Sequence, residues 1–296
     1  MGCPCEIQLF TPSQNEASRI ANIAIADVRR LEMRYSRYRS NSLLSEINRV
    51  AAEGGSIVVD QETASLLDYA TTCYQQSDGL FDITSGILRR AWHFDTNRLP
   101  DQSEIDLLLK KTGWHKLNWK TPELSFPTAG MELDFGGIVK EYATDRAAGL
   151  CIEAGIHHGV INLGGDVKLI GPRADNTPWR IGLSEPRKTD SFSETLSLKS
   201  GAVASSGDYE RYMIVDGIRY SHILNPKTGW PVRYLAAVSV VADFCVVAGS
   251  ASTIAILKEN EGPAWLENLG LPHLWIDING NRGGNLLSSI NNMSCL

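Results

Sequence analysis

Apolar residues recur along the chain at two periods, and the switches between them outline the fold. Residues 4–10 (Pro-Cys-Glu-Ile-Gln-Leu-Phe) alternate apolar and polar, the pattern of a half-buried strand. Between Asn15 and Tyr38, Ile20, Ile23, Ile25, Val28, Leu31 and Met33 return at helical spacing. Ser40-Asn41-Ser42 supplies a cap for a short helix through Asn48. A strand at 57–59 leads to a helix over 61–76, which Ser77-Asp78-Gly79 ends with turn chemistry. The pattern then predicts helices over 84–92 and 103–111 and short strands over 115–119 and 123–126. A strand over 131–135 runs into Gly136-Gly137 and a helix from Ile138 to Ala154. Residues 160–220 read as strands joined by turns at Gly164-Gly165, Asp175-Asn176 and Asp216-Gly217. A strand over 235–242, a small-residue helix over 244–257, a helix over 263–269, a strand over 274–276 and a loose tail complete the pattern. No fixed-period repeat and no Pro/Gly/Ser-rich linker divides it, so one α+β unit over 1–296 is expected.

Composition narrows the function classes. Hydrophobic residues make up 43% and charged residues 21% of the 296, which excludes a largely disordered chain. The net charge of -6 removes a chain-wide basic field for nucleic acid. No apolar run reaches the length of a membrane helix. Met1 to Phe10 lacks a basic segment followed by a hydrophobic one, so a cytoplasmic location is expected, or an exported form with a trimmed leader. Cys3, Cys5, Cys73, Cys151, Cys245 and Cys295 show neither CxxC nor zinc-type spacing and read as buried small hydrophobes, with Cys3-x-Cys5 the only close pair.

Four segments carry candidate chemistry. In Leu133-Asp134-Phe135-Gly136-Gly137-Ile138-Val139-Lys140-Glu141-Tyr142 an acid and two glycines precede a helix N-terminus, where backbone N–H groups favour an anion. Asp134 can accept from a base or sugar and Lys140 can reach a phosphate. An ordinary strand–helix turn looks the same, and the GxGxxG of a dinucleotide fold is absent. Asn162-Leu163-Gly164-Gly165-Asp166-Val167 reads as a hairpin turn whose Asn162 and Asp166 can also face a ligand. Ser205-Ser206-Gly207-Asp208-Tyr209-Glu210-Arg211-Tyr212, followed by Ser221-His222-Ile223-Leu224-Asn225-Pro226-Lys227-Thr228-Gly229, gathers hydroxyls, acids and one histidine. A serine hydrolase is disfavoured because no GxSxG elbow is present. Ala248-Gly249-Ser250-Ala251-Ser252-Thr253 lets helices pack closely and also offers hydroxyls to a hard cation.

Taken in order, these motifs resemble the FAD:protein FMN transferases, the ApbE family. The resemblance also draws on Met1-Gly2, Arg37-Tyr38-Arg39, Ser42-Leu43-Leu44-Ser45-Glu46-Ile47-Asn48 and Gly79-Leu80-Phe81-Asp82-Ile83-Thr84, and reaches from Met1 to about Leu257. It implies antiparallel β-sheets packed with helices in an ApbE-like (T-fold-like) architecture. It implies an enzyme that moves the FMN part of FAD onto a Thr or Ser hydroxyl of an acceptor protein, with Mg2+ assisting and AMP leaving. Carried over by position, Met1, Tyr38, Trp92, His93, Phe94, Asp134, Lys140 and Ile223 would contact FAD, and His222 would be the catalytic base or a phosphate contact. The Gly137 carbonyl and Thr253 would be metal ligands. The acceptor would carry a D-G-x-[ST]-G-A segment, which this chain itself lacks.

One position departs from the pattern. The family's usual Ala-Asp-Ala-x-x-Thr places a metal-binding acid where this chain has Gly249. Water, Asp208 or Asp243 would then complete the coordination, and restoring Asp at 249 is expected to tighten Mg2+ dependence. The same departure motivates two alternatives, a non-catalytic FAD-binding protein and an FAD pyrophosphatase.

Overall fold

The computed structural model describes residues 2–96, 98–188 and 191–287. In chain order the elements are β1 (Cys5–Leu9), α1 (Gln14–Tyr35), α2 (Leu43–Glu53), β2 (Gly55–Val58), α3 (Gln61–Gln76), a 3-10 stretch (Ile83–Arg90) and α4 (Gln102–Leu109). A 3-10 turn (Trp114–Lys116), β3 (Asn118–Lys120), β4 (Glu123–Phe126), α5 (Val139–Glu153), β5 (Gly159–Leu163), β6 (Asp166–Ile170), β7 (Trp179–Ser184) and β8 (Phe192–Leu198) follow. Then come β9 (Ala202–Gly207), β10 (Tyr212–Val215), β11 (Ile218–Ser221), β12 (Leu235–Ala242), α6 (Cys245–Leu257), α7 (Gly262–Leu269), β13 (His273–Asp277) and β14 (Arg282–Gly283).

Seven strands form the central sheet in the order β1-β5-β6-β9-β12-β13-β14, every neighbouring pair antiparallel. Period-two alternation assigns its two faces. Ile161, Leu163, Ile170, Ala202, Ala204, Val238 and Val240 join the main core with residues of α1, α5 and α6. Val160, Val167, Leu169, Val203 and Leu274 turn the other way and pack under Trp179, Ile181, Leu183 and Leu196 of the β7–β8 hairpin. Gly164 and Gly165, at φ of 62° and 93°, make the two-residue turn from β5 to β6, a left-handed geometry that glycine adopts without steric cost.

The fold is therefore the expected mixture of antiparallel sheets and helices, with three local corrections. Residues 131–135 are not a strand. Met131, Leu133 and Phe135 are buried, but the backbone finds its partners elsewhere: Asn48 Nδ2 donates to the Leu133 carbonyl at 3.0 Å, the Leu133 N–H donates to Asn48 Oδ1 at 2.7 Å, and the Asp134 N–H donates to the Ile83 carbonyl at 2.8 Å. A side chain thus replaces a strand neighbour. The helix expected over 84–92 is the 3-10 stretch, held at its start by Asp82, whose Oδ1 accepts from the Thr84 N–H at 2.8 Å. Of the strand expected over 115–119, the first part is the 3-10 turn, and only Asn118–Lys120 pairs.

Cys73, Cys151 and Cys245 are buried free thiols, as expected, and burial pushes Cys73 and Cys151 up to about 11. Cys3 and Cys5 are free but not buried: Cys5 opens the edge strand β1, and Cys3 lies in the bend before it. Cys295 lies outside the described residues. Among the described residues no helix is long and apolar enough to cross a membrane.

Candidate active site

A cleft of about 830 Å³ opens where the 3-10 stretch and the start of α5 meet the ends of β9, β11 and α6. Its size is that of a pocket for a large organic ligand. Tyr38, Trp92, His93, Phe94, Asp134, Gly137, Lys140, His222, Ile223 and Thr253 all line it. Met1 lies outside the described residues.

One end is aromatic. Trp92 is only 2% exposed and donates its indole N–H to the Gly229 carbonyl at 2.8 Å, so it acts as the floor. Phe94 stacks on it with centroids 5.9 Å apart and an interplanar angle of 16°, and Trp230 meets it edge-on at 5.2 Å. The Arg211 guanidinium lies 5.5 Å from the Phe94 ring. Tyr38, 80% exposed, stands at the rim, where Arg37 donates to its hydroxyl at 2.7 Å and is ion-paired with Asp134. Asp134 also accepts the Gly136 N–H at 2.9 Å, which fixes the turn into α5.

The other end carries charge. Lys140 in the first turn of α5 reaches Asp166 of β6 at 2.5 Å. Burial opposes its charge, yet Asp166 and Glu141 outweigh that cost and hold the ammonium well above its ordinary range. His222 is open to the mouth of the cleft while the walls close around it. That burial lowers its pKa, the Arg211 carbonyl partly offsets the effect, and the Arg211, Arg37 and Lys140 charges add to it. Its Nδ1 lies 3.2 Å from the Arg211 carbonyl, an atom that can only accept, so Nδ1 carries the proton and Nε2 keeps a lone pair. Ser206 Oγ lies 2.8 Å from Ser252 Oγ and 2.9 Å from Thr253 Oγ1, joining β9 to α6 through hydroxyls.

Glu141 and Asp166 complete this end. Glu141 is buried and contributes to the cleft wall. Burial first, and the neighbouring Asp166 second, push its carboxyl far above the ordinary range, while Lys140 pulls the other way. Burial likewise raises Asp166 against the pull of Lys140. The motif containing Glu141 was visible in the sequence, but its role was not. The available signal was a lone acid in the first turn of α5, directly after Lys140.

Neither of the acids expected to compensate for Gly249 reaches this point. Asp208 is held by Arg187 in a bidentate pair at 2.6 and 2.8 Å. Asp243 is absent from the cleft wall, and its carbonyl accepts from Lys168. Asn162 spends its Oδ1 on the Gly165 N–H at 2.9 Å, a turn role. Among the described residues no three His, Cys, Asp or Glu side chains converge as a metal cluster. A cation here would draw on hydroxyl and carbonyl oxygens as well as carboxyls.

Comparison with known proteins agrees with this geometry. The model of the ApbE family matches residues 1–275. An FAD:protein FMN transferase of Vibrio cholerae serotype O1 is 30% identical over 248 residues, covering 81% of this chain and 74% of that protein. One from Rhodobacter capsulatus is 32% identical over 235 residues; the match covers 77% of this chain and 45% of that longer protein. Among solved structures, the ApbE protein of Thermotoga maritima superposes with a TM-score of 0.85 at 33% identity, over 96% of this chain and 95% of that one. The flavin transferase ApbE from Vibrio cholerae gives 0.83 at 26% identity, over 96% and 94%. With the family pattern matched across nearly the whole chain and the fold reproduced on both sides of the cleft, this chain belongs to the ApbE family.

Proposed function

We propose that the protein transfers the FMN moiety of FAD to a Thr or Ser hydroxyl of an acceptor protein and releases AMP, with Mg2+ assisting. The observation that carries this reading is the two-sided cleft. A single cavity joins a surface for planar rings, at Phe94 and Tyr38, to a surface for a pyrophosphate, at Lys140 and His222. The names of the relatives, FAD:protein FMN transferase and flavin transferase, support the same reaction.

In this reaction the acceptor hydroxyl oxygen bonds to the phosphorus nearer the flavin. The bond from that phosphorus to the bridging oxygen breaks, and AMP leaves with that oxygen. His222 Nε2 takes the hydroxyl proton, and the Nδ1–H bond to the Arg211 carbonyl holds the ring in that tautomer. Lys140, locked in the charged state by Asp166, faces the phosphate charge. Asp134, positioned by Arg37 and the Gly136 N–H, accepts from the base or sugar. The charged end suits a hard cation: Thr253 and Gly137 line the cleft and offer a hydroxyl and a backbone carbonyl, and Glu141, on the same wall, has a buried carboxyl oxygen without a hydrogen-bond partner. When bound, Mg2+ supplies charge neutralisation on the pyrophosphate.

The test is intact-mass spectrometry of an acceptor protein carrying a D-G-x-[ST]-G-A segment, after incubation with this protein, FAD and Mg2+. A gain of one FMN unit, abolished by EDTA, is the expected result. Free FMN plus AMP with an unmodified acceptor would identify a pyrophosphatase, and intact FAD bound to the protein would identify a flavin-binding protein.

A further inference from the structure

Gly249 and Thr253 lie one helical turn apart on the same face of α6, and Thr253 lines the cleft. The space beside Gly249 is filled. A Cβ at that position would lie 2.5 Å from Glu141 Cγ and 3.2 Å from both Glu141 Cδ and Oε1. The carboxyl of α5 thus occupies the volume that a side chain at 249 would take.

Glu141 is only 6% exposed; its carboxyl lies against that of Asp166, and its Oε2 finds no hydrogen-bond partner. Leaving such an oxygen unsatisfied is costly, and a paired acid or a cation is the usual remedy. The cation nearest in sequence, Lys140, is committed to Asp166. Gly137, in the turn that leads into α5, lines the same cleft and has a backbone carbonyl to offer. Gly137, Glu141 and Thr253 thus line one cleft, with Glu141 of α5 packed against Gly249 of α6.

We propose that Glu141 supplies the carboxylate ligand for the divalent cation of the transfer reaction, from α5 and across the helix contact, in place of a side chain at 249. Residue 249 is glycine because the Glu141 carboxyl takes its space. The inference rests on the proposed metal-assisted reaction and adds to it the identity and origin of the acid. It also removes the motive for reading Gly249 as the mark of a lost metal site.

Mn2+ serves as the probe, with bound ion read from the loss of the free-ion electron paramagnetic resonance signal in the presence of FAD. Glu141→Gln preserves shape and removes the charge. It is expected to weaken Mn2+ at least about tenfold, while FAD binding in EDTA, followed by flavin fluorescence, stays unchanged and shows the cleft intact. The exchange variant Glu141→Gly/Gly249→Asp, which moves the acid from α5 to α6, is expected to recover most of that affinity. Equal Mn2+ binding by wild type and Glu141→Gln would overturn the inference and leave the transfer reaction standing. An exchange variant that folds but binds no better than Glu141→Gln would overturn the idea that the two positions share one role. A wild type that binds no Mn2+ and modifies its acceptor equally well in EDTA would sink the metal-assisted reading itself, and the inference with it.

Discussion

At the scale of single residues, His222 shows how the cleft sets chemistry. Surrounding walls and three cations lower its pKa below the ordinary value of about 6.5. The imidazole is therefore neutral at pH 7 and free to accept a proton at Nε2. Transfer should fall as pH drops through that lowered pKa, giving an acid limb with its midpoint below 6.5. His222→Ala should lose roughly 100-fold or more in rate, and its residual rate should be flat across the same range. Lys140→Met removes a like charge and should move the limb to higher pH. A limb that persists unchanged in His222→Ala would assign it to another group. The sign for stability is the same: a histidine with a depressed folded-state pKa binds fewer protons folded than unfolded, so its contribution is complete above 6.5 and declines below. That His222, Asp134, Lys140 and Thr253 would share one cleft was legible in the sequence, because each sits in a motif with unusual local chemistry. Glu141 was not, since its meaning comes from facing Gly249, a contact between distant segments that no local pattern records.

At the scale of elements, α5 and α6 form the frame of the charged end. Asp145 of α5 caps α6, its two oxygens accepting the Cys245 and Val246 N–H groups at 2.8 and 2.9 Å. Their mutual position is thereby fixed, and so is the fit of Glu141 against Gly249. Restoring an acid at 249 therefore does not simply add a ligand. The new Cβ would sit 2.5 Å from Glu141 Cγ, an atom near the base of its side chain, and a third carboxylate would join Glu141 and Asp166. Gly249→Asp alone should cost about 1–3 kcal/mol from overpacking, before like-charge repulsion, and should loosen metal binding, contrary to the sequence-based expectation. Urea unfolding would show a lower midpoint at constant slope, and adding Glu141→Gly should restore most of the loss. Additive effects of the two substitutions would show that these positions do not touch. The existence of both helices was legible from their periodicity and small residues. The 131–135 segment was misread because its buried alternation is that of a strand, while its hydrogen bonds come from the Asn48 side chain.

At the scale of the whole molecule, the cleft draws on segments spread from Arg37 to Leu257. They include the turn after α1, the 3-10 stretch, the start of α5, the end of β9 and the turn after it, the residues that follow β11 and the last turns of α6. The strand content was legible, but sheet order was not, because it joins β1 to β5 and β6 to β9 across long stretches of chain. A ligand that binds only the assembled cleft must stabilise all of these segments together, since any global unfolding destroys the site. FAD at about 100 times its dissociation constant should add about 2.7 kcal/mol, which for a chain of this size corresponds to a rise in Tm of roughly 5 °C. FMN or AMP alone, at the same concentration, should give less, because each engages one end of the cavity. Differential scanning fluorimetry on an optical channel clear of flavin emission, or calorimetry, would measure this. An FAD shift no larger than that of AMP would mean that the aromatic end around Phe94 does not hold the flavin, and would place the ring outside the cleft.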